Sequence, residues 1–104
     1  MVVLDFSTRE EDTAVTVSVT GELDIVTRPV FDIYLEVILS GGPGQIIVDL
    51  SGLSFIDASG LGALATLYSR AGYEQMPVLL TGVPARILQL IKIVGLNNHI
   101  PVSP

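Results

Sequence analysis

The 104-residue chain contains no cysteine or tryptophan, a single histidine and a single lysine, and only 6% aromatic residues. Without cysteine it has no disulfide, no thiolate nucleophile and no sulfur metal ligand, which fits a cytoplasmic setting. Basic residues are scarce: five against eleven acidic ones give a formal net charge of -6. That sign repels phosphate backbones and anionic headgroups, so neither nucleic acid nor a membrane surface is an expected partner. No apolar run approaches the roughly 18 residues that span a bilayer, so direct membrane insertion is not expected. The opening "MVVLDFSTREED" has neither the basic region nor the apolar stretch of a secretory signal.

The scarcity of histidine also limits catalysis. A serine hydrolase needs a base and a G-x-S-x-G elbow; the single histidine is His99, in the tail, and the most conspicuous serine, Ser59, has Asp57 and Leu61 where the glycines should stand. A phosphoaspartate at Asp49 would need clustered carboxylates for Mg²⁺ and a lysine, and Lys92 falls in the last expected helix. "SGGPG" follows a helix and lacks a G-K-[ST] ending, so it reads as a helix stop. No grouping of ligands suits a metal or cofactor, and no enzymatic activity is expected.

What the chain does have is apolar residues, 49% of the total, with only 15% charged. Its length suits one domain, residues 1–104, with a single core. "AVTVSVT" alternates strictly, with Val15, Val17 and Val19 on one face, and reads as a half-buried strand. "VVLDFS" precedes it as a shorter strand, and the polar "TREEDT" between them predicts an antiparallel hairpin. Thr27 and Pro29 then open a helix with Phe31, Tyr34, Leu35 and Ile38 inward. "QIIVDL" reads as a buried strand and "LGALATLYSRAGY" as a helix with Leu61, Leu64, Ala65 and Tyr68 inward. "PVLLTG" and "PARILQLIKIV" repeat the pattern, with Ile87, Leu88, Ile91 and Val94 inward and Gly95 as the stop. "HIPVSP" is a tail able to add an edge strand.

This alternation predicts an α/β fold: a mixed sheet, mostly parallel, with an antiparallel strand from the N-terminal hairpin and helices from βαβ crossovers. Loops leaving the carboxyl ends of parallel strands gather along one edge, where sites usually lie. Three are expected there: Gly21–Thr27, Ser51–Ser59 and Gly82–Pro84. They would bring Asp24 close to Ser59.

The centre of interest is "IIVDLSGLSFIDASGLGAL", residues 46–64. A helix starting near Ala58 turns about 100° per residue, which predicts Ser59 on the solvent side, opposite the apolar stripe. Gly60, Gly62, Ala63 and Thr66 are small and would let another molecule approach its hydroxyl. Asp57 suits a helix cap. Two readings stand side by side: capping chemistry alone, or a modification site. A phosphate on Ser59 would add a charge of roughly −1.5 to −2 at a helix start, tolerable to the fold and disruptive to a partner shaped for a neutral serine.

These residues resemble the STAS-domain family, and within it the bacterial anti-sigma-factor antagonists. The likeness rests on "VTGELDIVT", on the D-x-S-G-L-G helix start within residues 46–64, and on "LLTGVPARILQLIKIVGL". The resemblance implies a regulator that binds an anti-sigma factor with serine-kinase activity when unphosphorylated and is released when Ser59 is phosphorylated. It would thereby govern sigma-factor-dependent transcription, with a serine phosphatase as a further candidate partner. It implies partner contacts at Asp24, Asp57, Ala58, Gly60, Leu61 and Gly62. For Asp24 the alternative is a solvated loop acid. Ala58 stands where many antagonists carry a second hydroxyl, and Arg28 and Pro29 stand where smaller neutral residues are expected. The other role open to the family is a constitutive interaction module of a stress-sensing scaffold or membrane transporter complex. Oligomeric state is left open by the sequence.

Overall fold

The computed structural model describes residues 3–103, so Val2 of the expected first strand and Pro104 of the tail lie outside the described residues. Strands β1 (Leu4–Glu11) and β2 (Ala14–Leu23) form an antiparallel hairpin. Helix α1 (Arg28–Ser40) leads to β3 (Gln45–Ile56), helix α2 (Ala58–Tyr73) to β4 (Val78–Thr81), and helix α3 (Ala85–Ile93) closes the series before a short 3-10 turn, Leu96–Asn98. The sheet order is β1-β2-β3-β4, with β2, β3 and β4 parallel. This is the mixed α/β sheet that the alternation of patterns predicts. The tail adds one parallel bridge to the outer edge of β4, between Leu80 and Val102.

The hairpin turn is tighter than expected. "TREE" continues β1 with its side chains exposed, and only Asp12 and Thr13 turn the chain. Asp12 takes φ 55, a left-handed conformation that aspartate adopts more readily than most residues.

One cluster joins Val15, Val17 and Val19 of β2, Ile46, Val48 and Leu50 of β3 and Val78 and Leu80 of β4 to the inward sides of all three helices. Helix α1 buries Phe31, Leu35 and Leu39, with Tyr34 and Ile38 partly covered beside them. Helix α3 buries Ile87 and Ile91, whereas Val94 is exposed and Leu96 and Ile100 take its place in the core. Gly95 ends the helix at φ 77, as expected of a left-handed stop.

Helix α2 differs most from expectation. Its buried residues are Gly60, Ala63, Leu64, Leu67 and Ala71, while Leu61 and Ala65 are half-buried and Tyr68 is exposed. The helix is turned so that small residues face inward, and this lets it lie close to the ends of β2 and β3.

Strand β3 also runs further than its apolar core suggests. It pairs with β4 only as far as Asp49 but stays paired with β2 to Ile56. Its register against β2 shifts twice, between Ser18 and Thr20 and between Gly21 and Glu22, each time placing an extra residue on β3. Burial follows: Ile46, Val48 and Leu50 recur every second residue, then Leu50, Leu53 and Ile56 every third. A bulge moves the next inward residue one place along the chain, which keeps the apolar set on the core face. As a result the three expected loops do not meet at one point: the Gly21–Thr27 loop joins the start of α2 at Asp57, while Gly82 lies against Ser51. The Gly82–Pro84 loop leaves the sheet beside Asp49, seven residues short of Ile56, or roughly 20 Å of strand.

Candidate functional site

The β2–α1 loop and the start of α2 are tied together by one carboxylate. Asp57, the only residue between β3 and α2, is extended at φ -114, ψ -172 and accepts a hydrogen bond from the Gly60 amide through Oδ1 at 2.9 Å. That satisfies one of the four amides left without partners at a helix N-terminus. Its Oδ2 accepts from the Ile25 amide at 3.2 Å, and its own amide donates to the Leu23 carbonyl at 3.3 Å. Asp57 is therefore the joint between the two loops.

Asp24 organises the other loop. Its Oδ1 accepts from the amides of Val26 and Thr27, both at 2.9 Å, and lies 3.2 Å from the Thr27 hydroxyl oxygen. The Thr27 amide, ahead of the other donors, holds the Asp24 carboxyl below its ordinary value of 3.8. Thr27 stands at the N-cap of α1, yet its hydroxyl donates to the Glu22 carbonyl at 2.8 Å instead of capping the helix.

The other expected contact residues divide by exposure. Ala58 is exposed, and Ser59, Leu61 and Gly62 are half-buried. Ser59 does not face open solvent as expected: with α2 turned as described, it sits about 100° from the centre of the buried stripe, on the flank facing α1. Gly60 is buried and forms no part of the exposed surface. A Cβ on Gly60 would lie 2.3 Å from the Leu23 carbonyl oxygen and 2.6 Å from Ile56 Cγ1, so glycine is required there by the close approach of α2 to β2 and β3.

Sequence reasoning did not single out three exposed apolar residues near the joint. Ile25 and Val26 are 74% and 79% exposed on the loop that Asp24 and Asp57 hold, and Phe55 is half exposed beside the joint. The signal was there, in two apolar residues between a loop acid and a helix cap. Arg28 covers the flank of α2: Nη1 donates to the Ser59 carbonyl at 3.3 Å, Nη2 to Thr66 Oγ1 at 3.0 Å, and Nε to Asp32 at 3.3 Å.

The family model described as "Mlab, STAS domain" matches residues 6–102. The chain belongs to the STAS domain family. A relative named anti-sigma-B factor antagonist, from Staphylococcus aureus, is 30% identical over 100 residues, covering 96% of this STAS domain and 93% of the relative. The crystal structure of an anti-sigma factor antagonist from Mycobacterium paratuberculosis is similar at TM-score 0.83 and 29% identity, over 97% of this chain and 86% of that one. The Bacillus cell fate determinant SpoIIAA in its phosphorylated form shares the fold, at TM-score 0.73 and 20% identity over 96% of this chain and 92% of that one. In this STAS domain the D-x-S-G-L-G start thus divides its work: Asp57 joins two loops, Gly60 allows close packing, and Ala58, Ser59, Leu61 and Gly62 surround the helix start. No helix among the described residues is long and apolar enough to cross a membrane.

Proposed function

We propose that this STAS domain is an anti-sigma-factor antagonist of the cytoplasm, regulating sigma-factor-dependent transcription without enzymatic activity. It binds an anti-sigma factor with serine-kinase activity through Asp24, Asp57, Ala58, Leu61 and Gly62, and it is released when Ser59 is phosphorylated. A serine phosphatase resets it. The observation that carries the reading is the placement of Ser59 in the first turn of a helix whose start is locked to a second exposed loop by Asp57. The relatives named as antagonists support the same role.

The physical basis is a change of charge at a packed surface. A phosphate brings roughly −1.5 to −2 charges, and each 1.4 kcal/mol or so lost to it lowers affinity tenfold. Incubation with Mg-ATP and the kinase-type anti-sigma factor of the same genome, followed by mass spectrometry, tests it. One phosphate mapped to Ser59 is expected, with Ser59→Ala keeping the partner bound in ATP and Ser59→Asp weakening binding.

The half-burial of Ser59 favours a second reading, a constitutive interaction module of a stress-sensing scaffold or membrane transporter complex. No phosphate from an active kinase, together with tight binding by Ser59→Asp, would support it.

A further inference from the structure

Arg28 is not placed for the good of its own helix. It occupies the first turn of α1, where a cation opposes the helix dipole, and its ion pair with Asp32 is of the exposed i,i+4 kind. Its guanidinium instead lies along Ser59, Gly62 and Thr66, which follow one another on the same flank of α2. A Cβ on Gly62 would stand 2.9 Å from Arg28 Nη1, so the missing side chain makes the seat for the guanidinium.

We infer that Arg28 is the in-cis receptor for a phosphate on Ser59. The inference rests on the phosphorylation reading above and adds the residue that holds the product. The side chain has five N–H donors; the bonds to Asp32, the Ser59 carbonyl and Thr66 use one on each nitrogen, leaving one on Nη1 and one on Nη2. A guanidinium recognises phosphate oxygens through such N–H donors on its planar group. The backbone carbonyl of the residue to be modified is 3.3 Å from Nη1, which puts the guanidinium at Ser59 itself. Asp57 and Asp24, on the adjoining loops, and Asp32, on α1, are the acids near this group, and they oppose the second ionisation of the phosphate that Arg28 favours. Arg28 thereby fixes the modified side chain against α2 and stabilises the doubly charged phosphate.

The test uses full-length protein with phosphoserine incorporated at position 59 by codon suppression, so it does not depend on any kinase. A ³¹P NMR titration reads the second phosphate pKa, ordinarily about 6. In the otherwise wild-type protein it is expected about half a pH unit lower than in Arg28→Gln, with Arg28→Lys in between. The Arg28 Nε–Hε resonance of the otherwise wild-type protein should move with the same midpoint, a readout that needs no variant to fold. Equal phosphate pKa values in the otherwise wild-type and Arg28→Gln proteins, or an Arg28 resonance that stays still through the titration, would overturn the inference. Failure of the kinase to modify Ser59 would instead count against the proposed function alone.

Discussion

Asp57 and Ile25 are 32 positions apart in sequence, and the carboxylate of one holds the amide of the other at 3.2 Å. The same carboxylate caps α2 through Gly60. Asp57→Ala removes both bonds and is expected to destabilise the domain by about 1–2 kcal/mol, the range for a lost N-cap. For a domain near 100 residues that lowers Tm by several degrees, readable by thermal unfolding in circular dichroism. Asp57→Asn keeps an acceptor for the cap and should lose less.

Gly60 and Gly62 are two residues apart in one motif and should respond oppositely to alanine. At Gly60 the new methyl meets the Leu23 carbonyl and Ile56, so Gly60→Ala is expected to cost about 1–3 kcal/mol through overpacking. At Gly62 it meets only the flexible end of Arg28, and alanine gains up to about 1 kcal/mol of helix propensity over glycine. Gly62→Ala should therefore be neutral or slightly stabilising in urea denaturation. A Gly62→Ala protein as unstable as Gly60→Ala would contradict this account of the helix start.

Asp24 gives a stability that depends on acid. Its folded-state pKa is lowered from 3.8, first by the Thr27 amide, so the native loop prefers the ionised carboxylate. The contribution is present above pH 3.8 and is lost as pH falls through the lower folded-state value. Asp24→Asn should thus be less stable than the wild type at pH 7, and the gap should narrow below about pH 4. Paired unfolding curves at pH 7 and pH 3 would show it; a gap that widens in acid would rule it out.

In the proposed complex with the anti-sigma factor, the exposed Ile25 and Val26 add an apolar contact that the sequence motif does not include. Val26→Asp changes a side chain that is 79% exposed, so stability should move by no more than about 0.5 kcal/mol. Affinity for the anti-sigma factor should fall at least tenfold in titration calorimetry, as expected for a charge set against an apolar contact.

The sequence made the regular parts of this fold legible, and the difficulties lie where the period changes. The alternation through Val15, Val17 and Val19 marks β2 because nothing interrupts it. From sequence the second half of β3 reads as a loop because its two bulges turn a period of two into a period of three, which "SGLSFI" shows only once the pairing with β2 is known. The phase of α2 differs from the one that its large residues predict, because Gly60, Ala63 and Ala71 lie on the inward face so that backbone can approach backbone. Ser59 and Asp57 stood out from composition and spacing alone. Arg28 stood out only as a misfit, since its contacts with Ser59 and Thr66 bridge 31 and 38 positions.

The overhang of β3 beyond β4 also bears on solubility. Among the described residues the strand pairs with none on the β4 side past Asp49, and an open edge of this kind is a template for stacking onto another chain. The two inserted residues twist it away from the flat geometry that such stacking needs, and the Asp49 carboxylate occupies the Ser51 amide at 2.9 Å. The irregularity that hides this strand in the sequence thus also works against edge-to-edge stacking of this apolar domain.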